Sequence, residues 1–123
     1  MRRELGRVES VRLGIEDHGI LTCVVRIRFG SSSQGFGGLF LDGYDKEKKR
    51  RTGWAPGSDW IRRLCALFGA EDIVKDIVDK PVYALYESDR LGDIVGLQRI
   101  EPDGGATFLL SEWREDWKSE VTT

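Results

Sequence analysis

The sequence predicts an α+β fold: an antiparallel β-sheet with one main amphipathic helix packed on one face, and a short C-terminal helix. Two early runs alternate apolar and polar residues with a period of two. One later run repeats its apolar residues at helical spacing, and strand-like runs resume after it. Strands interrupted by one helix point to a sheet with a helix laid on one face, rather than to repeated β-α-β units. No linker or repeat divides the chain, so residues 1–123 read as a single domain.

The first run, Val8 to Ile15, places Val11, Leu13 and Ile15 on one face and Ser10, Arg12 and Gly14 on the other. After Glu16-Asp17-His18-Gly19, Leu21, Cys23, Val25, Ile27 and Phe29 alternate with Thr22, Arg26 and Arg28. A short polar link containing Asp and Gly between two such runs predicts an antiparallel hairpin. Gly30-Ser31-Ser32-Ser33-Gln34-Gly35-Phe36-Gly37-Gly38 reads as a loop leading into a third strand at Leu39-Phe40-Leu41. Tyr44 to Gly53, with Lys46, Lys48, Lys49, Arg50 and Arg51, reads as an exposed basic loop.

Ser58 is suited to cap a helix, and Asp59 in the first turn complements the helix dipole. Trp60, Ile61, Leu64, Cys65, Leu67 and Phe68 form its apolar stripe, with Arg62, Arg63 and Ala66 outside it, and Gly69 closes it. A short turn at Glu71–Lys75 precedes a strand, Val82–Glu87, that starts after Pro81. A turn around Asp89-Arg90-Leu91-Gly92 leads to a further strand, Asp93–Ile100. Thr107–Leu110 continues the sheet, and Ser111–Glu120 is helix-compatible, with Trp113 and Trp117 on one face for packing.

The chain has 40% hydrophobic and 33% charged residues, enough apolar side chains for a packed core. No apolar run approaches the roughly 18 residues of a membrane helix, and the charged start lacks a signal-peptide core, so a cytoplasmic protein is expected. Cys23 and Cys65 lie among apolar residues and read as buried thiols in a reducing compartment. The net charge of −2 conceals an asymmetry, with +5 over residues 1–63 and −7 over residues 64–123. Such a dipole steers an anionic partner to one side, or lets copies of the chain attract one another.

The chemistry-bearing residues offer little for catalysis. His18, the only histidine, lies beside Asp17, so a carboxylate–imidazole pair is conceivable, but a polar turn residue is the simpler reading. One His and two separated Cys make no zinc pattern, so neither metal nor cofactor is expected. The serines of the glycine-bounded loop lack a nucleophile elbow. The strongest electrostatic feature is residues 44–63, which carry seven basic and three acidic side chains. Arginine there suits phosphate, and nearby aromatic rings suit a base. The same residues also read as a solvated loop. Duplex nucleic acid is not expected, because the acidic half would repel a long polyanion.

Gly14-Ile15-Glu16-Asp17-His18-Gly19-Ile20-Leu21-Thr22, followed by Gln34-Gly35-Phe36-Gly37-Gly38 and Leu41-Asp42, resembles small phage and prophage proteins. Among functional groups, it resembles the phage anti-Thoeris sponge proteins. That resemblance implies a compact α+β homo-oligomer in the infected bacterial cytoplasm. It would capture a small phosphorylated nucleotide signal, of the cyclic ADP-ribose type or a cyclic oligonucleotide, without turnover. Charge and stacking chemistry then nominate Phe36, Arg50, Arg51, Trp54, Arg62 and Arg63, with Arg114 reaching a neighbouring protomer's pocket. Two other readings stand beside it. One is a protein-interaction inhibitor such as an anti-CRISPR protein, its acidic half mimicking nucleic acid. The other is a small hydrolase of the signal.

Overall fold

The computed structural model describes residues 1–87, 92–100 and 105–120. The turn expected at Asp89-Arg90-Leu91 lies outside the described residues. The fold class is as expected, an antiparallel sheet with helices packed on one face. Strands β1 (Arg2–Ile15), β2 (Leu21–Phe29), β3 (Ser32–Phe40), β6 (Pro81–Tyr86), β7 (Gly96–Gln98) and β8 (Thr107–Leu109) form one sheet, ordered β3-β2-β1-β6-β7-β8. Strands β4 (Asp42–Asp45) and β5 (Arg50–Gly53) form a separate two-stranded hairpin.

β1 begins six residues earlier than its alternation indicates, because its inner positions there are not apolar. Arg2 stacks its guanidinium 4.2 Å from the centroid of the Tyr86 ring. Gly6 lies against Ile27 and Phe29, where a Cβ would come within 2.6 Å of the Ile27 side chain. A bulge at Glu9 shifts the register between Val8, paired with Ile27, and Ser10, paired with Arg26. The extra residue lets Val8 and Val11 share the inner face despite their odd spacing. Leu13 and Ile15 share that face, opposite Cys23 and Leu21, but the hairpin tip leaves them 41% and 61% exposed.

The glycine-rich segment is strand, not loop: Ser32–Phe40 pairs with β2 over most of its length. Gly37 and Gly38 have φ of +104° and +79°, and the register shifts beside them. A side chain at Gly37 would meet the Cys23 carbonyl at 2.4 Å and the Trp60 ring at 3.1 Å. The missing side chain therefore makes room for the indole. The basic segment is likewise ordered: Tyr44 pairs with Arg51 and Asp45 with Arg50 across a turn. The Asp45 Oδ1 accepts hydrogen bonds from the Glu47 and Lys48 amides, tying down that turn.

Helix α1 (Ala55–Phe68) starts a turn before Ser58. Trp54 occupies the N-cap position without a side-chain cap, and Pro56 sits in the first turn, where its missing N–H costs nothing. Gly69, at φ +61°, closes the helix as expected. Trp60, Leu64, Leu67 and Phe68 pack on Val8, Cys23, Val25, Ile27 and Phe36. Cys65 is half-buried at the helix flank, whereas Cys23 is buried as expected. Helix α2 (Ile73–Asp76) is capped by Asp72, whose Oδ1 accepts from the Val74 and Lys75 amides.

Helix α3 (Leu110–Asp116) docks on the start of α1. The buried Trp113 Nε1 donates to the Pro56 carbonyl at 2.8 Å, and Trp117 Nε1 donates to Asp59 Oδ2 at 2.8 Å. The tryptophan pair thus packs within the chain. Among the described residues no helix is long and apolar enough to cross a membrane.

Candidate functional site

The residues nominated from charge and stacking do not assemble into one site. Phe36 is fully buried, with ring centroids 5.6 Å from Trp60 and 5.5 Å from Phe108, so it offers no surface to a ligand. It alternates into the core as the apolar residue of a strand, which the loop reading concealed. Trp54 is half-buried and stacks on Phe40, centroids 5.8 Å apart. Arg51 is consumed internally: its Nε donates to Asp42 Oδ1 and its Nη2 to the Asp42 carbonyl, both at 2.9 Å.

Arg63 is also consumed internally. It pairs with Asp59 at 2.8 Å and with Asp116, bracing α1 against α3. Partial burial alone would raise the Asp59 carboxyl. The hydrogen bonds from Trp117 and Arg63, with the charges of Arg63 and Arg62, outweigh it and hold Asp59 below the usual carboxylate range. Arg50, Arg62 and Arg114 remain exposed, on the hairpin, α1 and α3 respectively. Of these, Arg62 lines an open depression of about 440 Å³ with Cys65, Gly69 and Glu71, whose carboxylate partly offsets its charge.

His18 takes Glu16 rather than Asp17 as its partner. Its Nδ1 lies 3.3 Å from Glu16 Oε2, and its amide donates to Glu16 Oε1 at 2.6 Å. Slight desolvation would raise Glu16, but the hydrogen bonds from His18 and Ile20 bring its carboxyl below the ordinary value. The carboxylate is a turn-forming acceptor, and the imidazole is 84% exposed at the hairpin tip.

The charge that is free to act lies on the other face of the main sheet. The alternation places it there: residues of β2 that do not face α1 are Thr22, Val24, Arg26 and Arg28, and those of β1 include Arg3, Leu5, Arg7 and Arg12. Arg3, Arg7, Arg12, Arg26 and Arg28 are all exposed, and Leu5 beside them is 56% exposed. The buried side chains of α1 pack on the opposite face of β1 and β2, against Val8, Cys23, Val25 and Ile27. Glu9, at the bulge, places a carboxylate 3.9 Å from Arg26.

At its centre Arg7 and Arg28 stand directly opposite each other across β1 and β2. Directly opposed like charges destabilise a sheet. Arg7 Nη1 donates to the Asp79 carbonyl at 2.6 Å, a neutral acceptor that leaves the charge uncompensated. Arg28 and Arg12 have no hydrogen-bond or ion-pair partner among the described residues. The pair borders an open depression of about 540 Å³ lined by Leu5, Gly6, Arg7, Arg28, Gly30 and Pro81. Ligand sites commonly enclose about 300–1,000 Å³.

The chain matches no protein-family model, no curated protein and no solved structure. The signal for the arginine face was present in the sequence, because Arg12, Arg26 and Arg28 fall on the polar side of the two best alternating runs. Polar sides of strands usually face water for solubility alone, and the run from Arg2 to Arg7 does not alternate in hydropathy, so the five arginines could not be placed on one face.

Proposed function

We propose that this protein captures a phosphorylated nucleotide signal on the arginine face of its sheet and holds it without turnover, as a counter-defence sponge would. The observation that carries the reading is the opposed Arg7–Arg28 pair beside a nucleotide-sized depression. Guanidiniums carried by directly opposed residues of neighbouring strands each offer a fork of donors to a bound phosphate, the group arginine holds better than lysine. The repulsion between them in the free protein is relieved when an anion binds, so a ligand that carries phosphate is favoured over a neutral one. Gly30, with nothing within 4 Å of where a side chain would start, leaves the rim of the depression low there, which admits a sugar or base beside the phosphate.

The test is native mass spectrometry of the protein with mononucleotides, cyclic ADP-ribose isomers and cyclic oligonucleotides. Bound, intact nucleotide that is recovered unchanged after denaturation is the expected result, with the complex lost in the Arg7→Ala/Arg28→Ala variant. Binding that survives this double substitution would move the site elsewhere. A chemically altered product would replace capture with catalysis.

A further inference from the structure

We infer that the ligand class of this face is a single-stranded oligonucleotide, gripped along its phosphate backbone by arginines that extend well beyond the central depression. The inference rests on the preceding reading that the face binds phosphate, and it adds the size and form of the ligand.

Arg3, Arg7 and Arg12 lie along β1, and Arg26 and Arg28 run beside them on β2. From Arg3 to Arg12, with the bulge at Glu9 taking up one residue, the strand covers about 26 Å at roughly 3.3 Å per residue. A lone nucleotide at the Arg7–Arg28 depression leaves Arg3 and Arg12 roughly 13 Å away on either side. A polymer with a phosphate on every unit engages all five. At about 3.4 Å of rise per stacked nucleotide, the row matches a strand of about eight.

Form follows from the rest of the surface. Arg3 lies over the Tyr83 ring, 4.3 Å from its centroid, and donates to Gln98 at 3.3 Å, so an aromatic ring and an amide flank the arginine row. Leu5 stands next to Tyr83 in register, largely exposed. Unpaired bases can lie on such a mixed aromatic and apolar strip, whereas the bases of a duplex are turned inward. Charge favours the same choice. With Glu9, the five arginines put +4 on this face of a chain whose net charge is −2, so the remainder of the molecule carries −6. A long rigid duplex would project past the row toward that acidic remainder, while a short flexible strand can stay on the arginines.

Fluorescence anisotropy with a labelled 12-nucleotide single strand of mixed sequence, its blunt duplex, and a labelled mononucleotide separates the outcomes. The single strand should bind at least tenfold more tightly than either. Its affinity should fall with salt at a log–log slope of about −3, as expected for four to five phosphate contacts. Replacing the outlying arginines, Arg3→Ala/Arg12→Ala, should weaken the strand about tenfold and flatten the slope by about 1, leaving the mononucleotide within about twofold. Arg12→Ala alone, at a side chain without a hydrogen-bond or ion-pair partner among the described residues, guards against a folding effect of losing the Arg3–Tyr83 contact. Mononucleotide binding equal to that of the strand, or no effect of the outlying substitutions, overturns the oligonucleotide inference while sparing the phosphate site. A duplex that binds more tightly than the strand overturns it as well. Failure of every probe to bind overturns both readings.

Discussion

If the opposed Arg7 and Arg28 form an anion site, that site costs the free protein stability, and reversing one charge should show it. The substitution is Arg28→Glu, on an exposed position of β2 whose register partner on β1 is Arg7. For two charges at about the spacing of directly opposed strand residues, roughly 6 Å, in a water-like dielectric, the repulsion is about 0.7 kcal/mol. Exchanging one sign turns repulsion into attraction, a swing of about 1.4 kcal/mol. A Debye length of about 8 Å at physiological salt roughly halves this to about 0.7 kcal/mol. That agrees with the range of about 0.2–1 kcal/mol for cross-strand charge pairs. In urea denaturation the variant should be more stable by that amount, or melt about 2–4 °C higher. The gain should shrink in 1 M salt, where the Debye length is about 3 Å. The same variant should lose nucleotide binding, and a protein that is more stable yet no longer binds cannot have lost its ligand by misfolding. A variant less stable than the parent, or a change indifferent to salt, would refute the picture of two uncompensated guanidiniums facing each other.

Three further outcomes test the frame behind the site. Gly57→Ala gains at most about 1 kcal/mol of helix propensity, but its Cβ would lie 1.8 Å from the Leu41 carbonyl oxygen, a backbone atom that cannot swing away. Overpacking of about 1–3 kcal/mol or more should win. Gly14→Ala, with nothing within 4 Å of the added carbon, serves as the control, and a stabilised Gly57→Ala in a melting experiment would show that α1 does not press on Leu41. Asp59→Asn should destabilise near neutral pH. Because the folded-state pKa of Asp59 is depressed, its contribution is present above the unfolded carboxylate value near 4 and disappears as pH falls through the folded value. The stability gap between the parent and Asp59→Asn should therefore close below about pH 4, and a gap constant from neutral to strongly acidic pH would contradict the Arg63–Asp59–Trp117 clasp. Burial, with a lesser contribution from Cys65, pushes the Cys23 thiol up to about 12. Iodoacetamide should label half-buried Cys65 in the native protein and Cys23 only after unfolding, while equal labelling rates would count against the burial of Cys23.

The alternation of Leu21–Phe29 and the apolar stripe from Trp60 to Phe68 determined the fold class, because a core-facing side chain in a strand or helix must recur with the period of its element. The same rule failed where an inner position is filled by something other than an apolar side chain. Arg2 is inward because it stacks on Tyr86, Gly6 because Ile27 and Phe29 take its space, and Gly37 because Trp60 does. Those conditions are set by residues distant in the chain, so β1 appeared short and β3 appeared as a loop. Ser58 and Asp59 gave a cap signal a turn inside α1, which starts at Ala55 with Pro56 in its first turn, where the Pro56 carbonyl accepts from Trp113, a residue far along the chain.

The site divides along the same line. Composition and the order of residues determined that the first half of the chain is basic and rich in arginine. Which arginines are free depended on partners brought in by folding. Asp42 neutralises Arg51 and Asp116 helps to neutralise Arg63, whereas Arg7 and Arg28 are set opposite each other by the β1–β2 register. Charge is a property of the residue and can be counted along the chain. Whether that charge is cancelled or left facing water is a property of distances of a few ångströms between residues far apart in sequence, and only the tertiary structure creates those distances.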